Sequence, residues 1–441
     1  MLKKFLLLSI LSLFILFVGV SLILISNHTE EEIKNRAFLS YFSYIPFLEE
    51  REDEIAFTVD EEGVTPEGVN AVEDANNKFA LKIYKEIIKG EEENIFISPY
   101  SISTALAIVY EGAREETAEE IVSVFEFPEE DNIRRSAVAS IYNRLNTKND
   151  NYKMKTANAL WVQEDYNLLP TFTEAVKRFY GGLARNIDFK KDPEKAREVI
   201  NGWVADKTND IIDELFPENS FSDLTRLVIT NAIYFKGDWK DEFDEEDTTE
   251  SDFYISNDET VQVEMMQKTD GEYRYYEDET VQVLEMPYKG EEILMTVILP
   301  RESNLSAIEN SITIDEIKTF KTKAGQQEVD VYLPKFELDS DYLLNNYLKT
   351  LGMTRSFSSV ADFSGMNGDR SLFISKVVHN AHITVDEKGT EAAAATGVEM
   401  MEAELPPQEK KEFKADHPFM FIIQEKSGNI LFMGRVINPT L

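Results

Sequence analysis

The 441-residue chain contains no cysteine. That absence excludes disulfides, thiolate metal sites and cysteine nucleophiles together. Histidine is nearly as scarce, with only His28, His379, His382 and His417. A histidine-rich metal centre is therefore not expected, and any Ser-His-Asp triad would have to draw on these four. No GxGxxG, GxxxxGKS/T, HExxH or GxSxG pattern occurs. Nothing points to a cofactor or a bound metal. Basic residues are the minority: 45 against 82 acids give a net charge of −37. Such a chain repels phosphate, so nucleic acid is set aside as a partner. The acids read as a solvated surface. Because acids are abundant everywhere, paired carboxylates carry little weight as a glycosidase signal.

Apolar residues make up 43% of the chain, enough for a sizeable core. At the N-terminus, Lys3 and Lys4 precede a nearly unbroken apolar run, Phe5 to Ile25. At ~1.5 Å per residue this run reaches ~31 Å, the thickness of a bilayer core. The exit Leu24-Ile25-Ser26-Asn27 lacks a small-x-small pattern, so residues 1–25 read as a signal-anchor, with a cleaved signal peptide and secretion as the alternative. The lysines on the short side place the remainder on the extracellular face. Residues 26–70, with Glu30-Glu31-Glu32 and Glu52-Asp53-Glu54, read as an acidic tether.

From residue 71 the pattern turns globular. Val72, Phe79, Ile83 and Ile87 recur at helical spacing, with Gly90 as the stop. Asn94-Ile95-Phe96-Ile97 reads as a short strand, and Ser98-Pro99 as the cap and first turn of a helix through Tyr110. That helix is apolar on nearly all sides, so a central position is expected. Further helices are expected over 116–125, 132–145, 171–180, 193–208, 306–311, 314–322 and 342–351. Strands are expected over 154–162, 226–235, 281–288, 293–299, 329–336, 372–379 and 419–425. Helices early, strands late and no fixed βα alternation give an α+β class. His379 and His382 are three apart, which in a strand points them to opposite faces. A structural role in a polar network suits His379 better than a triad.

One segment resists classification. Glu387-Lys388-Gly389-Thr390-Glu391-Ala392-Ala393-Ala394-Ala395-Thr396-Gly397-Val398 has a helix-forming alanine run too short to hold alone and bracketed by glycines. Read as a strand, one face is Thr390, Ala392, Ala394, Thr396, Val398 and Met400, and the other carries Glu391 and Glu399. Charge avoids the first face entirely. A segment of this kind can slide between two strands without burying a carboxylate.

Five ordered motifs resemble the serpin family. They are Asn94-Ile95-Phe96-Ile97-Ser98-Pro99-Tyr100-Ser101-Ile102; Thr230-Asn231-Ala232-Ile233-Tyr234-Phe235-Lys236-Gly237-Asp238-Trp239; Leu333-Pro334-Lys335-Phe336 with Ala361-Asp362-Phe363-Ser364-Gly365; His379 through Thr396; and Asp416-His417-Pro418-Phe419 with Leu431-Phe432-Met433-Gly434-Arg435-Val436. The resemblance covers residues 71–441. It implies a serpin fold, with three β-sheets, about nine helices and an exposed reactive-centre loop, and it implies a suicide-substrate inhibitor rather than an enzyme. The implied partner is a target serine protease held as a covalent acyl complex, with cysteine proteases as a further class; the membrane is met through residues 5–25. A non-inhibitory serpin acting as a carrier or chaperone is the alternative, against which the small hinge residues argue. By resemblance the hinge is Gly389, Thr390, Glu391, Ala392, Ala393, Ala394, Ala395 and Thr396. The reactive bond falls at Ala403-Glu404 counted forward from Gly389, and at Glu404-Leu405 counted back from Phe413 and Pro418. A shutter cluster of Ser98, Ser101, Asn231 and His379 is implied beneath the sheet. A breach of Trp239, Lys335 and Glu387 is implied at its upper end, with a Lys335–Glu387 ion pair.

Overall fold

The computed structural model describes residues 58–441 apart from 147–148, 209–210, 213 and 391–409. The acidic tether stops earlier than expected. Val59 is buried, its amide donates to Asn143 Oδ1 (2.8 Å), and the Asp60 amide donates to the Arg178 carbonyl (2.8 Å). Helix α1 (Pro66–Ile87) starts ahead of residue 71 because Thr65 caps it, accepting from the Gly68 amide, with Pro66 in the first turn. Residues 58–70 thus belong to the globular body; the rest of the tether and the hydrophobic run at 5–25 lie outside the described residues. No helix among the described residues is long and apolar enough to cross a membrane.

Strand β1 (Ile95–Ile97) leads into α2 (Pro99–Gly112), capped by Ser98 and buried along almost its whole length, as its sequence requires. Helices α3 (Glu115–Phe125) and α4 (Asp131–Asn146), strand β2 (Tyr152–Gln163), α5 (Pro170–Tyr180), β3 (Leu183–Ile187), α6 (Pro193–Lys207) and β4 (Leu227–Asp238) follow. The later half runs β5 (Thr249–Tyr254), β6 (Thr260–Glu277), β7 (Val281–Pro287), β8 (Ile293–Pro300), α7 (Leu305–Ser311), α8 (Ile314–Lys323), β9 (Gly325–Pro334), β10 (Phe336–Leu343), α9 (Asn345–Leu351), α10 (Ser364–Asn367), β11 (Ile374–Val385), β12 (Gly389–Thr390), β13 (Lys411–Lys414), β14 (Phe419–Glu425) and β15 (Ile430–Val436). Among the described residues there are thus ten α-helices.

The strands form two hydrogen-bonded sheets among the described residues, one of nine strands and one of six. Where three sheets were expected, two are continuous here, because the 18-residue β6 pairs with β5 at one end and with β7 at the other. The six-stranded sheet runs β10-β11-β12-β4-β2-β3. Both of its faces are covered, one by the main core with α2 and the other by a smaller cluster in which Trp161, Val228 and Ala232 pack with Ile200 and Val204 of α6. Double coverage explains the unbroken apolar runs of β2 and β4, which alternation would not produce.

Two expected elements change. The strand over 329–336 is two strands that break at Lys335, and the helix over 342–351 begins only at Asn345. Phe336-Glu337-Leu338-Asp339-Ser340-Asp341-Tyr342-Leu343 alternates buried and exposed along β10, a period of two that extends through Tyr342.

Candidate functional site

The parallel pair β11 and β4 forms the seam on which the site is built. Their direct register runs from Ile374↔Leu227 through His379↔Asn231 to Ala381↔Ile233. Beyond Ala381 they part. Continuing the register would set Val385 opposite Gly237; instead Val385 pairs with Thr390, and Thr390 pairs with Gly237. Gly389 and Thr390 therefore stand between the two strands as the tip of a third, antiparallel to both.

The chain reaches that position through a tight turn in which the Asp386 amide donates to the Gly389 carbonyl (3.0 Å). Trp239 anchors it: its amide donates to the Lys388 carbonyl (2.7 Å), and its indole Nε1 to the Asp386 carbonyl (3.0 Å). The Trp239 ring stacks on Tyr288 at 4.5 Å, and Tyr288 OH shares a 2.7 Å hydrogen bond with Thr390 Oγ1. Glycine is required at 389, where φ is +153°. A Cβ there would collide with the Gly237 carbonyl and lie 2.7 Å from Asp238 Cα and 2.9 Å from Trp239 N.

Glu387 in this turn is buried. Its carboxylate accepts from Thr248 Oγ1 (2.8 Å) and meets Lys335 Nζ at 3.4 Å. Burial alone would raise its pKa, but its own amide, Thr248 and Lys335 together hold it below the usual range. The break between β9 and β10 is what puts Lys335 here. The structure brings together Trp239, Lys335 and Glu387, the trio that the family resemblance implied; Thr248 and Tyr288 were missed, since a lone Thr and Tyr in unremarkable stretches carry no signal. Glu387→Lys is expected to lower the melting temperature and to yield polymers on mild heating. It sets two ammonium groups together where one carboxylate was buried, at a cost of about 2 kcal/mol given that Lys335 remains partly solvated. Size-exclusion chromatography after a mild heat step is the check, and a monomeric variant with unchanged melting would count against the pair.

Lower on the seam, Ser98, Ser101, Asn231 and His379 meet, all essentially inaccessible to solvent. The Ser98 amide donates to His379 Nε2 (3.0 Å), which makes Nδ1 the protonated nitrogen that donates to Asn231 Oδ1 (2.5 Å). Asn231 Nδ2 in turn donates to Ser101 Oγ and to Asn158 Oδ1, both at 2.5 Å. Ser98 Oγ accepts from the Ser101 amide (3.1 Å) and donates to the Leu431 carbonyl (2.8 Å). Asn158, on β2, is the member the sequence reading missed; it was hidden in an apolar run. Within this network the His379–Asn231 bond spans the seam, so the strands cannot part there without breaking it.

Burial pushes the His379 pKa down to about 3, far below the ordinary 6.5. A histidine depressed in the folded state binds its proton first in the unfolded state. The stability tied to neutral His379 is therefore intact above pH ~6.5 and is lost as pH falls from there toward 3, by about 1.4 kcal/mol per unit. His417 works the other way: burial lowers its pKa, but Asp416 and the Pro300 carbonyl outweigh burial and raise it. The test is a pH series of melting temperatures between 7 and 5 for the native chain and His379→Gln. The native chain should fall more steeply, and parallel curves would refute a buried neutral imidazole.

Of the expected hinge, Gly389 and Thr390 are in place. Glu391, Ala392, Ala393, Ala394, Ala395 and Thr396, and both choices for the reactive bond, Ala403-Glu404 and Glu404-Leu405, lie outside the described residues. The chain resumes at Lys410, paired with Asp270 (2.6 Å) and Asp330 (3.1 Å), and at β13, parallel to β9.

Comparison with known proteins agrees with this architecture. Residues 74–439 match the family model described as serpin, serine protease inhibitor. An uncharacterised serpin-like protein of Thermococcus kodakarensis is 42% identical over 386 residues, covering 87% of this chain and 88% of that protein. Leukocyte elastase inhibitor of Homo sapiens is 40% identical over 376 residues, covering 83% of this chain and 98% of that protein. The crystal structure of human thyroxine-binding globulin superposes with a TM-score of 0.77 at 30% identity, covering 84% of this chain and 99% of that one. The strand order, the seam and the sequence similarity converge: the chain belongs to the serpin family.

Proposed function

We propose that the chain is a suicide-substrate inhibitor of serine proteases, not an enzyme, and that it acts outside the cell, tethered through residues 5–25 or secreted. The single observation that carries this reading is the wedge at the seam: Thr390 already stands between Val385 and Gly237. Extending that antiparallel register inward pairs Ala392 with Phe235 and Ile383, Ala394 with Ile233 and Ala381, and Thr396 with Asn231 and His379. The uncharged face of the segment thereby follows Thr390 into the core. Thr396 arrives at the seam bond that insertion must break, with a hydroxyl able to donate to one partner and accept from the other. Ala392 and Ala394 place nothing larger than a methyl between closely packed strands.

In this mechanism the protease nucleophile attacks the Ala403 carbonyl, and the amine of Glu404 leaves with a proton. Glu404-Leu405 remains the second choice of bond. The ester-linked segment from Thr390 onward then enters the seam faster than water reaches the ester. The protease is carried along and its acyl bond persists. Elastase-like and trypsin-like proteases form the panel. A complex that survives denaturing electrophoresis, and mass spectrometry of the released fragment, test the reading and the bond. Cleavage with no stable complex across the panel would shift the assignment to a non-inhibitory carrier or chaperone.

A further inference from the structure

The outer face of the six-stranded sheet, away from the main core, brings three side chains together that the sequence scatters. Glu337 and Asp339 are two apart on β10 and so share a face. His382 on β11 is directly opposite Asp339. One ligand atom from each lies within 4.8 Å of the other two. His382 Nδ1 already meets Asp339 Oδ1 at 2.7 Å, and its Nε2 is 3.2 Å from Thr384 Oγ1. A simple His–Asp pair would account for one carboxylate, but it leaves Glu337 unexplained. One row along the same face, Asn380 is buried and donates to Asp341, yet its Oδ1 has no hydrogen-bond partner. Glu337, Asp339 and Asp341 thus form an acidic row along a sheet edge.

We propose that Glu337, Asp339 and His382 form a binding site for a divalent first-row metal ion, for which zinc is the reference cation. Two carboxylate oxygens and one imidazole nitrogen are a donor set for zinc or its neighbours rather than for calcium, because imidazole is a poor ligand for hard cations. Two ligands at ~2.1 Å from one ion sit at most ~4.2 Å apart, so atoms that lie within 4.8 Å of one another need close by no more than ~0.6 Å. Glu337 and Asp339 are exposed, and such side chains make that adjustment without moving the strands. They also line an open cleft of about 440 Å³ with Glu93, Ser340 and Leu441, which opens the two carboxylates to an incoming ion, while His382 is outside that cleft. Bound there, the ion would clip β10 to β11 close to the point where β11 leaves β4.

The experiment uses the full chain and zinc chloride, with calcium chloride in parallel. Calorimetry on the native chain, His382→Ala and Glu337→Gln should show zinc binding weakened more than about tenfold in both variants. Calcium should neither bind comparably nor respond to His382→Ala. Both variants alter exposed or half-buried side chains, so their melting without metal should match the native chain. Zinc should raise melting only in the native chain. Crystals soaked in zinc should give an anomalous peak between the three residues. A peak elsewhere on the acidic surface, or zinc affinity indifferent to His382→Ala, would overturn the site.

Discussion

Thr390→Arg is expected to turn the inhibitor into a substrate: the loop is still cut, but the protease escapes. Thr390 is almost wholly buried at the head of the seam, with its hydroxyl on Tyr288 OH. Tyr288 is itself buried and has no charge with which to meet a guanidinium. Insertion extends inward from residue 390, which stays buried between Val385 and Gly237. An arginine there leaves this wedge while the loop is uncut, and its unpaired cation must be buried before the strand can form. A penalty of about 3 kcal/mol slows insertion roughly 150-fold. Ester hydrolysis, which does not involve the seam, then wins the race. The measurement is the ratio of covalent complex to cleaved inhibitor on denaturing gels. Thr390→Val separates charge from the lost hydrogen bond: it keeps the shape, loses the bond to Tyr288 and should still form complex. Undiminished complex from the Arg variant would end the insertion mechanism for this chain.

The parity argument that located this residue was legible in the sequence because it needs only a count of two. So were the cap at Ser98 and the central α2, whereas the trio Trp239, Lys335 and Glu387 came only from the resemblance to the serpin family. Other features became visible only once strands were paired. The break at Lys335 was not read, because β9 and β10 together look like one strand and Tyr342-Leu343 like the start of a helix. The hairpin of β5 and β6 is rich in acids and carries little apolar weight, although Val261, Val263 and Met265 keep a period of two. Strand β13, four residues with two lysines, exists because Lys411 through Lys414 pair in parallel with Val329 through Tyr332. Tertiary pairing overrode weak local preference there. Asn158 and Thr248 show the same limit for the site: a single polar residue acquires its role from the strand across from it. The pairing of His382 with Asp339 is a fact of register, and no spacing within either strand announces it.

Cleavage of the loop should make the chain melt higher, not lower. An ordinary protein loses stability or stays level when a surface loop is nicked. Here the cut frees the segment beyond Thr390 to become a full strand, antiparallel to both neighbours. Each inserted residue gains ladder hydrogen bonds of about 1 kcal/mol net, and ordering it costs about 1–2 kcal/mol, so the ladder alone nearly cancels. The balance is decided by what the uncut sheet lacks. Beyond Ala381 and Ile233 its two central strands part around a tip of only two residues. Ala392, opposite Phe235 and Ile383, would fill that opening, and Val398 and Met400, on the same face, would each add about 1.5–3 kcal/mol of apolar burial. A net gain near 5 kcal/mol raises the melting temperature of a chain this size by about 6 °C. The uncut form is then held in place by a barrier rather than by being the most stable arrangement. Limited proteolysis within the loop, followed by calorimetry on the nicked chain, measures the shift directly. The nicked Thr390→Arg variant supplies the control, because its cut strand meets the same charge penalty and should gain little. If the nicked native chain melts no higher than the intact one, the seam does not accept the loop, and the suicide-substrate mechanism fails with it.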